Sequence, residues 1–333
     1  MSLVTVRDTE NRMETERKFK FSSLSALLLA NVVCTYLLVV LGSTVRVSNS
    51  GTGCPSWPLC YGQATPIYGN THALVEQSHR YLASIVSVLV FAALVVVLLL
   101  KDKKRKHFLI KLAWLAAGTI VIQVILGAIT VVTNNAPWTV AAHLAMAMIF
   151  TAVMVVYFIA SLSASYPEIK INIDTKTNGR RSLLKKVKAL AYLSVVFTFL
   201  IIISGSLIVD GGAEQHCASW PLCPSGEPGK DVLLNLIHRS IVGLTFVIYI
   251  LFAIMGTKLF VKLKWWRNGV VAVISVIVIT AAFGALSALT KANPVFQDFH
   301  LALATLVWIA VVSLVTFMHF EPGQDIDLQK KMQ

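Results

Sequence analysis

Four histidines lie inside long apolar stretches of this chain: His79, His143, His238 and His300. Polar side chains are costly in such surroundings and tend to mark function. They fall into two matched pairs. His79 ends on an arginine in the run Glu76-Gln77-Ser78-His79-Arg80, and His238 does the same in Asn235-Leu236-Ile237-His238-Arg239. His143 and His300 enter later apolar stretches from the same end. At ~1.5 Å rise per residue, each lies within about a turn or two of the start of its helix. Each half of the chain can therefore point two imidazoles at one another from neighbouring helices. Two opposed imidazoles in an apolar four-helix bundle are a ligand set for haem iron. Interhelical hydrogen bonding is the plainer reading of a lone membrane histidine. Zinc or copper is another, and only the first half has an acid, Glu76, to complete such a site.

Other residues repeat with the histidines. Cys54-Pro55-Ser56-Trp57-Pro58-Leu59-Cys60 precedes the first pair and Cys217-Ala218-Ser219-Trp220-Pro221-Leu222-Cys223 the second. Two such C-x5-C loops in an oxidising compartment read as disulfide staples, Cys54 with Cys60 and Cys217 with Cys223, and a thiol–disulfide redox role is the alternative. Cys34 reads as a small apolar filler. Arg80 and Arg239 either pair with the propionates of a haem or snorkel to headgroups. Gly127 and Gly284 suit close approach of a flat ring to the backbone, or plain helix packing. Glu76 lies one turn from His79 on the same helical face, where it can relay protons or merely complement the helix dipole.

Helices must position these groups, and the composition supplies them. The 333 residues are 56% hydrophobic and 14% charged, with a mean hydropathy of +0.73, so the solvent is mostly lipid. Stretches long enough to cross a bilayer fall near 22–45, 74–100, 108–132, 138–161, 188–209, 232–256, 269–290 and 296–318, which predicts an all-α integral membrane protein of eight helices. The net charge of +13 does not form a nucleic-acid face. Its lysines and arginines cluster in the N-terminal tail (Arg7, Arg12, Arg17), in alternate loops (Lys103 to Lys106; Lys258 to Arg267) and in a central linker (Arg180, Arg181, Lys185, Lys186). That pattern places both termini in the cytoplasm and both cysteine loops outside a plasma membrane. No cleavable leader is expected, because the first twenty residues are polar.

The linker, 164–187, divides the chain into a tail (1–21), a first four-helix half (22–163), a second (188–320) and a C-terminal tail (321–333). Gly42 matches Gly205, Cys54 matches Cys217, His79 matches His238, Gly127 matches Gly284 and His143 matches His300. An even number of helices per half gives tandem bundles related by a pseudo-two-fold axis along the membrane normal.

The duplicated cysteine heptads, Glu-x-Ser-His-Arg, the second His-Arg and the late histidines together resemble the haem A synthases of bacteria and mitochondria, over residues 22–320. The resemblance implies an oxidoreductase that converts the ring methyl of haem O to the formyl group of haem A for cytochrome oxidase. It implies haem b as a prosthetic group, with haem O synthase and oxidase assembly factors as partners. It also implies that His79 and His143 hold the substrate haem, and that His238 and His300 are the axial ligands of haem b. The asymmetry between halves agrees: oxidising a methyl requires proton handling, and Glu76 is the acid beside one of the four histidines. A di-haem b electron carrier linked to quinone is the competing function. A transporter of parallel repeats is a third, but it would carry midplane charges and broken helices.

Overall fold

The computed structural model describes residues 22–163, 178–223, 229–260 and 264–320. The N-terminal tail, the linker up to residue 177 and the C-terminal tail, with the charges expected there, lie outside these. Eight long helices are present among the described residues: α1 (Ser23–Val47), α2 (Thr71–Leu98), α3 (Lys103–Val132), α4 (Pro137–Ser163), α5 (Asn178–Asp210), α6 (Lys230–Phe260), α7 (Lys264–Leu289) and α8 (Pro294–Phe320). All eight contain a segment apolar and long enough to cross a membrane, so the protein is a multi-pass membrane protein.

Several helices outrun their apolar stretches. α5 starts at Asn178 rather than near 188, so Arg180, Arg181, Lys185 and Lys186 occupy its first turns and not a linker. Lys103 and Lys106 likewise open α3, and Lys258 closes α6. Lysine and arginine are good helix formers, and their long stems let a helix continue past the apolar region.

Each half is a closed ring of four helices. α1 packs on α2, α2 on α3, α3 on α4 and α4 on α1, and α5 to α8 repeat the scheme with sparser packing between α6 and α7. The halves meet where α4 packs on α5 and α8, and α1 on α8. A buried cluster of Val39, Met148, Ile159, Ile202, Trp308 and Val312 fills this seam, and the Trp308 indole donates to the Met148 carbonyl across it (2.9 Å).

Packing is uneven along the bundles. Leu28, Val90, Val97, Leu109 and Met154 fill the first bundle towards its basic end. Phe252, Leu259, Phe260 and Trp266 do so in the second. The loop ends are different. There α3 and α7 turn into α4 and α8 through short connections whose residues Asn134, Asn135, Lys291 and Ala292 all have positive φ. These tight reversals keep the end of one helix against the start of the next. Longer segments, 48–70 and 211–229, carry the cysteine heptads and close as disulfides, Cys54–Cys60 and Cys217–Cys223. Cys34 is free.

Candidate functional site

All four histidines sit at the cysteine-loop end. His79 and His238 lie about two turns inside α2 and α6, and His143 and His300 slightly less inside α4 and α8. The matched depth expected from the sequence is therefore present in both halves. His79 and His143 line one cavity and His238 and His300 another.

Behind each imidazole stands a glycine of the preceding helix. A Cβ at Gly42 would lie 3.1 Å from Nε2 of His79, and Cβ atoms at Gly127 and Gly205 would lie 3.2 Å from Cε1 of His143 and His238. At Gly284 the distance to Cε1 of His300 would be 2.8 Å. The imidazole is thus one flat ring that these glycines admit, and Gly42 and Gly127 also line the large cavity. Four glycines, not two, set the histidine positions.

The ring nitrogens differ between halves. Ser204 Oγ donates to the Ile201 carbonyl (3.0 Å), so it accepts from Nδ1–H of His238 (2.8 Å). Nδ1–H of His300 donates to the Thr280 carbonyl (2.8 Å). Both imidazoles are thereby fixed with Nε2 unprotonated and available as a ligand, the usual arrangement behind a metal-binding histidine. In the first half the Gln123 amide donates to Nε2 of His143 (3.2 Å). Nδ1 of His143 and Oε1 of Gln123 are buried with no partner. Among the described residues no group of three or more His, Cys, Asp or Glu could hold a bare metal ion, which removes support from the zinc or copper reading.

The cavities differ as well. The one at His79 and His143 measures about 990 Å³, at the top of the ~300–1,000 Å³ range of small-molecule sites, and runs on to Ser206, Asp210 and Gln297 of the second half. Glu76, Arg80, Gln123 and Trp57 of the disulfide loop line it beside the histidines. The cavity at His238 and His300 is about 70 Å³, with apolar walls from Ile201, Ile202, Leu301 and Ala304.

A model of the cytochrome oxidase assembly protein family matches residues 25–312. This chain belongs to that family. It is 30% identical to the Heme A synthase of Exiguobacterium sibiricum over 72% of this chain and 77% of the relative. It is 28% identical to the Heme A synthase of Symbiobacterium thermophilum over 91% and 97%. For that of Macrococcus caseolyticus the figures are 25%, 87% and 95%.

In this family member the two His-Arg motifs hold their loops. Arg80 donates through Nη1 to the carbonyl of Ser56 (2.6 Å) and through Nη2 to that of Cys54 (3.1 Å). Arg239 donates likewise to Ser219 (2.8 Å) and Cys217 (3.1 Å). Both guanidiniums therefore clamp a disulfide loop, a role the sequence did not suggest. Arg80 also lines the large cavity.

Glu76 completes the first clamp. Its Oε2 accepts from the Cys54 amide (2.8 Å) and its Oε1 from Arg80 Nη2 (2.5 Å). The carboxylate thus reaches into the loop and the cavity instead of serving the helix dipole. Gln77 adds two more bonds, donating to the Thr65 carbonyl (2.8 Å) and accepting from the Ile67 amide (3.0 Å). Asn235 inverts the polarity of Glu76: its amide donates to the Ala213 carbonyl (2.8 Å).

Sequence reasoning passed over Gln123 and Ser204, which orient the rings, and Arg46 with Asp210 at the seam. Gln123, Arg46 and Asp210 carried a usable signal, as polar or charged residues in apolar stretches without a matching partner in the other half.

Proposed function

We propose that the chain is a haem A synthase, oxidising the ring methyl of haem O to the formyl group of haem A for cytochrome oxidase. The observation that carries this reading is the asymmetry of the duplicated site. One histidine pair faces a large cavity with a carboxylate in its wall. The other flanks a small cavity with mostly apolar walls, and both of its rings are held through Nδ1.

In this reading the second half (188–320) holds haem b between His238 and His300, and the first half (22–163) takes haem O between His79 and His143. The donor set of the second pair fits haem iron, since hydrogen bonds at Nδ1 raise the basicity of the ligating nitrogens. Its 70 Å³ cavity is smaller than a tetrapyrrole, so a ring held there would need the sparsely packed α6 and α7 to part. Bound there, haem b supplies one-electron redox chemistry.

The chain's own residues do the rest. Gln123 occupies Nε2 of His143 until the substrate displaces it, which suits a site that must load and release. Gly42 and Gly127 hold the rings in register. Glu76 accepts a proton as the methyl group is oxidised, and Arg80 and the Cys54 amide keep its carboxylate at the cavity wall. Arg80 is also placed to meet a propionate.

The basic helix ends face the cytoplasm in this reading, and the cysteine loops lie outside, where disulfides persist. Haem O arrives from haem O synthase and haem A leaves to oxidase assembly factors. The test is expression with a haem O synthase in a host that makes no haem A. Extracted haems should include haem A with the native chain and none with His79→Ala. Absence of haem A with the native chain would overturn the assignment.

A further inference from the structure

Arg46 stands in the wall common to both cavities. The two linings share Arg46, Leu144, Ser206, Val209, Gln297 and Leu301, and Arg46 is the charged member of that set. Its Nε is buried with no hydrogen-bond partner. Its Nη1 reaches Asp210 Oδ1 at 3.6 Å, and the two side chains are 18% and 5% exposed. Asp210 in turn accepts from Ser206 Oγ (2.5 Å). At the repeat position corresponding to Arg46, the second half has Val209. One cation therefore serves two cavities.

A guanidinium offers five donors in a rigid fork suited to carboxylates. Leaving one donor unpaired in an apolar wall is costly. The long contact to Asp210 leaves the charge incompletely compensated. A ligand with an anionic edge in either cavity would supply what is missing.

Given the assignment of a tetrapyrrole to each half, we propose that Arg46 couples the two sites by pairing with the carboxylates of the ligands in both cavities. Occupation of the first cavity then draws Arg46 away from the second. The coupling is reciprocal, as any linkage between two binding equilibria must be.

Zinc protoporphyrin, which takes a single axial imidazole and does not change oxidation state as haem does, and its dimethyl ester test this on the purified haem b-loaded protein. Fluorescence titration should show the diacid binding the native chain roughly tenfold more tightly than the diester, as expected for a charge-assisted pair. Arg46→Gln should cut that ratio to the share that Arg80 supplies, and Arg46→Lys should keep part of the difference. Saturation with the diacid, but not the diester, should lower the haem b potential of the native chain. A tenfold weaker reduction would be a shift of about 59 mV for one electron. Arg46→Gln should start from the lower potential and not respond.

Asp210→Asn makes the opposite prediction, with tighter diacid binding and a raised potential. It decides the matter if Arg46→Gln fails to retain haem b. An unchanged acid-to-ester ratio in Arg46→Gln, or no gain in Asp210→Asn, would overturn the proposal. A native chain whose zinc porphyrin binding ignores His79→Ala would instead overturn the assignment of the first cavity, and this inference with it.

Discussion

The two halves have the same helix ring, the same His-Arg motif, the same disulfide loop and the same glycine behind each histidine, yet they differ wherever chemistry would be decided. In the second half, hydrogen bonds to Ser204 and the Thr280 carbonyl settle the tautomers of both rings. In the first, Gln123 competes for Nε2 of His143. Glu76 brings a carboxylate to the first cavity, where Asn235 brings only an amide to the corresponding loop. The repeat keeps a glycine-backed imidazole on each of four helices. It differs at Gln123, Ser204, Glu76 and Asn235, the residues that in the proposed function separate a site that turns over from one that holds its ligand.

The sharpest way to break this comparison is to remove the histidines one at a time. His238→Ala or His300→Ala should lose the tightly held haem b. His79→Ala or His143→Ala should keep it and lose conversion of haem O. Pyridine haemochrome analysis of the four purified variants distinguishes them, and equal loss of haem b from all four would refute the division of labour.

Next in size is Glu76→Gln, which should keep haem b and substrate binding but slow conversion by ~10²–10⁴, the usual worth of a positioned acid or base. A slowed second oxidation should let the hydroxymethyl haem accumulate. Because Glu76 also braces Cys54 and Arg80, Glu76→Gln keeps one acceptor oxygen for one of these two donors, where Glu76→Ala keeps none. Asn235→Glu should not restore activity in the Glu76→Gln background. Haem A at a near-normal rate in Glu76→Gln would reduce Glu76 to a loop brace.

The glycines give smaller and graded effects. Gly284→Ala should displace His300 most, with a cost of about 1–3 kcal/mol for overpacking and a shifted Soret band. Gly127→Ala should leave the haem b spectrum alone and weaken substrate binding. Spectra and haem O titrations on both variants read the difference.

The disulfides should matter least. Closing so short a loop is worth about 2 kcal/mol, and the first loop keeps Glu76, Gln77, Arg80 and the Tyr81 hydroxyl bond to Ala64 (2.5 Å). Cys223→Ser should therefore loosen its loop more than Cys60→Ser. Limited proteolysis of the two variants in detergent measures this, and equal sensitivity would count against the brace.

The eight helices were legible in the sequence, because lipid demands long apolar stretches, and the same demand makes the four histidines within them conspicuous. The glycine behind each ring was less visible. Gly42 and Gly205 stood out as a repeat, but nothing in a one-dimensional pattern says that His79 and His238 pack on them. The arginine clamps were hidden for another reason: a loop carbonyl leaves no trace in side-chain chemistry. Arg46 carried only the weaker signal of a lone charge at the end of an apolar stretch. Its place between two cavities required the packing of α1 against α8.

The central claim is that one half keeps its haem and the other exchanges it. The direct measurement is the number and type of haems extracted from native protein purified from cells that cannot make haem O. One haem b per chain, with haem O then binding on addition and turning into haem A when an oxidant is supplied, is the expected result. Two haem b per chain, both retained when haem O is added, would contradict it and describe a di-haem electron carrier instead.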